Sequence, residues 1–114
     1  INLIRIYIRN MLIDFKDENW EEIKKEDISI CQYSAIWCSP CQSLKPIMSK
    51  FSEQYKGKAN FYYADVEEGA INHGSSMGIR GVPSTIIFKK GVEVDRLVGN
   101  PGEAKVKEFL DKNI

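Results

Sequence analysis

A chain of 114 residues, 43% of them hydrophobic and 28% charged, has the length and balance of one globular domain and no room for a second. Its sixteen basic and sixteen acidic side chains cancel and are interspersed, as across Glu21, Glu22, Lys24, Lys25, Glu26 and Asp27, which argues against a nucleic-acid or anionic-membrane partner. Three cysteines are too few for a disulfide framework, and their odd number leaves at least one thiol without an intramolecular partner, so redox chemistry is favoured over stapling.

In chain order, residues 3–8 alternate Ile4, Ile6 and Ile8 with Arg5 and Tyr7, the pattern of an extended strand. Arg5 and Arg9 interrupt the apolar run, which disqualifies it as a membrane span or as the core of an export signal, and a cytoplasmic location is expected. Met11 fits a natural start. Residues 1–11 are therefore expected to be an N-terminal extension to a domain spanning 12–114.

Residues 12–15 are the first strand of that domain. Asp17 is expected to cap a short helix with an acidic first turn, carrying Trp20, Ile23 and Lys24 and ending near Lys25. Residues 28–35 are apolar without alternation, as in a central strand covered on both faces, and they lead straight to Trp37 and Cys38. After Pro40, Leu44, Ile47, Met48, Phe51 and Tyr55 recur at three- and four-residue intervals, one face of a helix running to about Tyr55 and bent at Pro46.

A loop over 56–60 precedes an aromatic-rich strand over 61–66, then a short helical segment over 67–73 ending at Gly74. Strands over 85–88 and 92–98 are joined by the tight turn Lys89-Lys90-Gly91, which predicts antiparallel pairing. Asn100, Pro101 and Glu103 suit the N-cap, N1 and N3 positions of a final helix that buries Val106, Phe109, Leu110 and Ile114. This order of elements predicts an α/β fold: a mixed central sheet of four to five strands flanked by helices on both faces.

The chemistry concentrates in Trp37-Cys38-Ser39-Pro40-Cys41. Two cysteines at this spacing at a helix start are near enough to form a disulfide reversibly. Unpaired amides and the positive end of the helix dipole stabilise a thiolate at Cys38, which makes it the nucleophile. Cys41, one turn into the helix, is shielded and suited to resolving a mixed disulfide. Pro40 sets helical geometry, Ser39 is small enough to leave the nucleophile exposed, and Trp37 forms an apolar wall beside it. The same spacing also serves as half of a zinc site. The remaining ligands would have to be Cys31, on the preceding strand, and His73, in a distant loop, which is unlike the usual two-pair arrangement, so no metal is expected. Cys31 reads as a small buried hydrophobe and His73 as an exposed loop residue.

The run Ala35-Ile36-Trp37-Cys38-Ser39-Pro40-Cys41-Gln42 followed by Pro46 resembles the active-site helix of the thioredoxin family, with serine where glycine is usual. Gly78-Ile79-Arg80-Gly81-Val82-Pro83-Ser84 is similar to that family's loop ending in a cis-proline, and Phe88, Lys89, Gly91 and Val98-Gly99 fit its final hairpin. The resemblance implies a thioredoxin fold over 12–114 and reduction of protein disulfides by Cys38 and Cys41, with a cis Pro83 opposite the dithiol. The Val82 backbone would pair with an extended substrate segment, and Gly99 would lie on the docking surface beside Trp37. It further implies disulfide-containing protein substrates, a reductase of the thioredoxin-reductase type as electron donor, a monomer, and no metal or organic cofactor.

Two positions depart from the family pattern. Gln32 stands where a buried aspartate is usual, six residues before the first cysteine, and Tyr63 replaces the lysine that accompanies it. Because glutamine does not titrate, altered proton handling at the resolving thiol is expected. Two other readings share these residues. One is an oxidase or isomerase, although Ser39-Pro40 is closer to the reducing members. The other is a docking module without turnover, against which both cysteines, Trp37 and Pro83 speak.

Overall fold

The computed structural model describes residues 12–114, so the strand read over residues 3–8 lies outside it. Five strands form one mixed sheet in the order β1-β3-β2-β4-β5: β1 (Ile13–Phe15), β2 (Ser29–Ser34), β3 (Asn60–Asp65), β4 (Ser84–Lys89) and β5 (Val92–Val98). β1, β3 and β2 run parallel, whereas β4 is antiparallel to β2, and β5 to β4. The helices are α1 (Trp20–Ile23), α2 (Ser39–Gln54), α3 (Ile71–Ser76) and α4 (Glu103–Asn113).

All six residues of β2 are buried, the polar Ser29, Gln32 and Ser34 among them, as in a central strand covered on both faces. Its side chains still point alternately to the two faces. Ile30 joins Leu44, Met48 and Phe51 of α2, Val106, Phe109 and Leu110 of α4, and Phe61 and Ile87 of the sheet. Cys31 and Tyr33 enter the opposite layer with Phe15, Ile23, Tyr62, Ala70, Ile86 and Phe88. Each large side chain so buried is worth about 1.5–3 kcal/mol. The β4–β5 turn needs positive φ at both central residues, Lys90 (51°) and Gly91 (80°), as a two-residue hairpin requires.

Four local expectations are corrected. Asp17 does not cap its own helix; it opens a 3-10 turn (Asp17–Asn19), and its carboxylate accepts from the backbone N–H groups of Asn72 (3.1 Å) and His73 (2.8 Å). It thus caps α3 from 55 residues away, satisfying amides that lack a partner within that helix. Gly74 is not a helix end but lies within α3, where a Cβ would come 3.0 Å from Val66 Cγ1, so its smallness serves packing. The helix stops instead at Gly78 (φ 68°), with Ile79 N–H donating to the Gly74 carbonyl (3.1 Å) and Gly78 N–H to that of Ser75 (3.0 Å).

Asn100 accepts from Gly102 N–H (3.1 Å) in a local turn, which consumes its capping oxygen, and α4 starts only at Glu103. His73 is buried, not exposed. Its ring lies 4.3 Å from that of Trp20 and 4.7 Å from that of Phe15, and its Nδ1 shares a 2.9 Å hydrogen bond with the Tyr33 hydroxyl.

Removing the remote cap by Asp17→Ala is expected to cost about 1 kcal/mol of stability by chemical denaturation. Burial holds the His73 pKa below its ordinary 6.5, against the opposing pull of Asp17. The folded protein therefore resists a proton that the unfolded chain accepts, so this contribution is complete above that value and is lost as pH falls below it. The denaturation midpoint should fall between about pH 7 and about pH 5, and less steeply in His73→Phe.

Candidate functional site

The dithiol sits where β2 runs into α2. The chain turns over residues 35–38, Cys38 N–H donating to the Ala35 carbonyl (3.1 Å), and Cys38 becomes the N-cap of α2. Its sulfur accepts from Cys41 N–H at 3.2 Å, the place a serine or aspartate oxygen takes at an ordinary N-cap. Sulfur thus faces the free amides and positive end of a 16-residue helix, which favours its thiolate once the disulfide opens. Ser39 and Pro40 fill the first two helical positions, where a missing proline N–H costs nothing.

Cys38 and Cys41 are joined as a disulfide with their Cα atoms 5.2 Å apart. Cys41 is fully buried and Cys38 only 4% exposed, packed with Ala35 and Val82. Cys38 is therefore less open than the small Ser39 had implied, because the loop bearing Val82 covers it. The Val82–Pro83 peptide is cis and brings the Val82 carbonyl oxygen to 3.6 Å from Cys38 Sγ. Gly99 N–H donates to the Pro83 carbonyl (2.8 Å), which ties the end of β5 to this loop. Gly99 has φ 84°, and nothing lies within 4 Å of where a Cβ would project, so the surface there is open.

Trp37 is 67% exposed beside the disulfide, together with Ile36 and Val98. Its indole N–H donates to Glu67 Oε1 (2.9 Å), so one edge of the apolar wall is held by a carboxylate. Glu67 belongs to a turn in which Asp65 Oδ1 accepts from the Glu67 and Glu68 amides (2.9 and 3.2 Å).

Gln32 is fully buried below α2, its Nε2 donating to the Cys41 carbonyl (3.1 Å) and to Ser34 Oγ (2.8 Å). Tyr63 pairs with it on β3, and its ring carries Lys45 Nζ 4.3 Å from the centroid while its hydroxyl accepts from Gln42 Nε2 (3.3 Å). The structure thus gathers Gln32, Trp37, Cys38, Ser39, Pro40, Cys41, Val82, Pro83 and Gly99 at one end of the sheet. Cys31 and His73 lie in the layer on the other side, far from forming a shared ligand set; among the described residues no group of three or more His, Cys, Asp or Glu side chains is arranged to hold a metal ion.

Sequence reasoning missed Glu67. The acidic pair Glu67-Glu68 directly after an aromatic strand was the available signal. After reduction, iodoacetamide should label Cys38 first. Cys31, buried and with its pKa pushed up by that burial, should react only on unfolding, as peptide mapping of the alkylated protein would show.

A family model described as Thioredoxin matches residues 11–112. Among curated relatives, a thioredoxin from Buchnera aphidicola subsp. Acyrthosiphon pisum is 31% identical over 107 residues, 92% of this chain and 98% of that one. A thioredoxin from Staphylococcus haemolyticus is 28% identical over 103 residues, 90% of this chain and 98% of its own. The fold is shared with a mutant thioredoxin from Halobacterium salinarum, at a TM-score of 0.79 and 24% identity, covering 91% of each chain.

Proposed function

The chain belongs to the thioredoxin family and is a thiol–disulfide oxidoreductase, a protein-disulfide reductase; from that premise we propose that Cys38 and Cys41 carry the reaction. The observation behind this assignment is the Cys38–Cys41 disulfide with Cys38 as N-cap of α2 and Cys41 sealed beneath it. In the reduced protein, the Cys38 thiolate attacks one sulfur of a substrate disulfide, and the other substrate sulfur leaves as a thiolate. Cys41 then gives up its proton and attacks Cys38 Sγ. The Cys38–substrate bond breaks, the second substrate sulfur leaves carrying that electron pair, and a proton returns to it from the medium or from Cys41. Two electrons have passed to substrate, leaving the Cys38–Cys41 disulfide for a donor of the thioredoxin-reductase type to reopen.

Trp37 and Gly99 would flank the docked substrate segment, with the Val82 backbone pairing along it. Ser39 and Pro40 would set the spacing and helical geometry of the pair, and Gln32 would support the resolving thiol. We place this activity in a monomeric domain spanning 12–114 and acting in the cytoplasm. No helix among the described residues is long and apolar enough to cross a membrane.

Reduction of insulin disulfides with dithiothreitol as recycling reductant tests the assignment. Cys38→Ser should abolish turnover, and Cys41→Ser should trap a mixed disulfide that mass spectrometry detects. Insulin reduction by Cys38→Ser at the parent rate would overturn it.

A further inference from the structure

Reduction of the disulfide creates one polar group in a fully buried place, the S–H of Cys41. A thiol is a weak donor, but one sealed from water has only protein acceptors to turn to. Two oxygens in this region lack a partner within the protein: Gln32 Oε1 and Thr85 Oγ1. Gln32 and Thr85 are directly paired across β2 and β4, two residues along from the Ile30–Ile87 pair, so both side chains lie on the face that α2 covers. Gln32 is 0% and Thr85 1% exposed.

The orientation of the Gln32 amide is dictated chemically. Its nitrogen lies 3.1 Å from the Cys41 carbonyl oxygen, which only accepts, so the NH2 must face that oxygen and Oε1 must face away. Ser34 Oγ takes the second N–H at 2.8 Å, which fixes the amide at both hydrogens and leaves its oxygen as a preset acceptor.

We propose that Gln32 and Thr85 form a neutral acceptor site, beneath the first turn of α2, for the Cys41 thiol of the reduced protein. They are positioning residues: they act on the reacting sulfur's protonated form and so on the balance between disulfide and dithiol. Neither group ionises, so the site stabilises the thiol without taking its proton. When Cys41 attacks, the proton passes to the departing substrate thiolate, directly or through solvent, and the charge balances with no buried acid. The inference rests on Cys38 and Cys41 being the redox pair.

The test is a redox titration in glutathione or dithiothreitol buffers, followed by alkylation and mass spectrometry, of the parent, Thr85→Val, Thr85→Ser and Gln32→Met. Thr85→Val keeps the shape of the side chain and removes only the hydroxyl. It and Gln32→Met should each shift the equilibrium toward the disulfide about tenfold, which is ~30 mV for a two-electron couple. Thr85→Ser, which keeps the oxygen, should stay within about twofold of the parent, and thermal melts report whether each variant is folded. Folded Thr85→Val and Gln32→Met proteins that titrate within twofold of the parent, or that shift toward the dithiol, would overturn the proposal while leaving the redox pair intact. A parent that shows no reversible two-electron titration would overturn the assignment of the pair itself.

Discussion

The amide of Gln32 joins the sheet to the redox helix. It projects from β2, a strand hydrogen-bonded to a neighbour along each edge and covered on both faces, so its backbone has no freedom to shift. From that fixed point, one N–H reaches the Cys41 carbonyl and the other Ser34, so the first turn of α2 is tied to the central strand of the sheet. An ionised aspartate at this position has no donor to give a carbonyl, so the glutamine here exchanges a titrating group for a structural tie.

The two layers around the sheet do different work. The layer under α2 and α4 is aliphatic and aromatic, from Ile30 and Leu44 to Phe109 and Leu110, and it bears the helix that carries the dithiol. The opposite layer is built around a buried imidazole, with Phe15, Trp20, Tyr33 and Phe88 grouped around His73. Asp17 closes that layer by capping α3, which in turn leads through Gly78 to the loop ending at Val82 and Pro83. Elements remote from the disulfide thus bear on the loop that covers it. Arg96 adds a further tie, donating to the Met77 carbonyl (2.8 Å) at the end of α3.

Local signals were read correctly where the neighbours in sequence are also the neighbours in space. The spacing of Leu44, Met48 and Phe51 on one helix face and the turn at Gly91 each state their own structure. Misreadings came where a capping or stop residue was spent elsewhere. Asp17 and Asn100 are both strong N-cap types, yet one serves a helix 55 residues on and the other a turn two residues on. Gly74 reads as a helix stop, but Val66 packs where its Cβ would be. His73 looks solvated among Asn72, Ser75 and Ser76 because nothing local shows that four aromatic rings from other elements enclose it.

By itself the sequence determined the periodic elements, the mixed α/β class, the cysteine pair at a helix start and the loop bearing Pro83, because each is encoded over a few consecutive residues. Tertiary structure alone decided that Glu67 would hold Trp37, that Val82 would cover Cys38 and that Thr85 would face Gln32. These contacts join residues 30 to 53 positions apart. Strand pairing and layer packing bring such residues together, and no local pattern states which side chain meets which across a sheet.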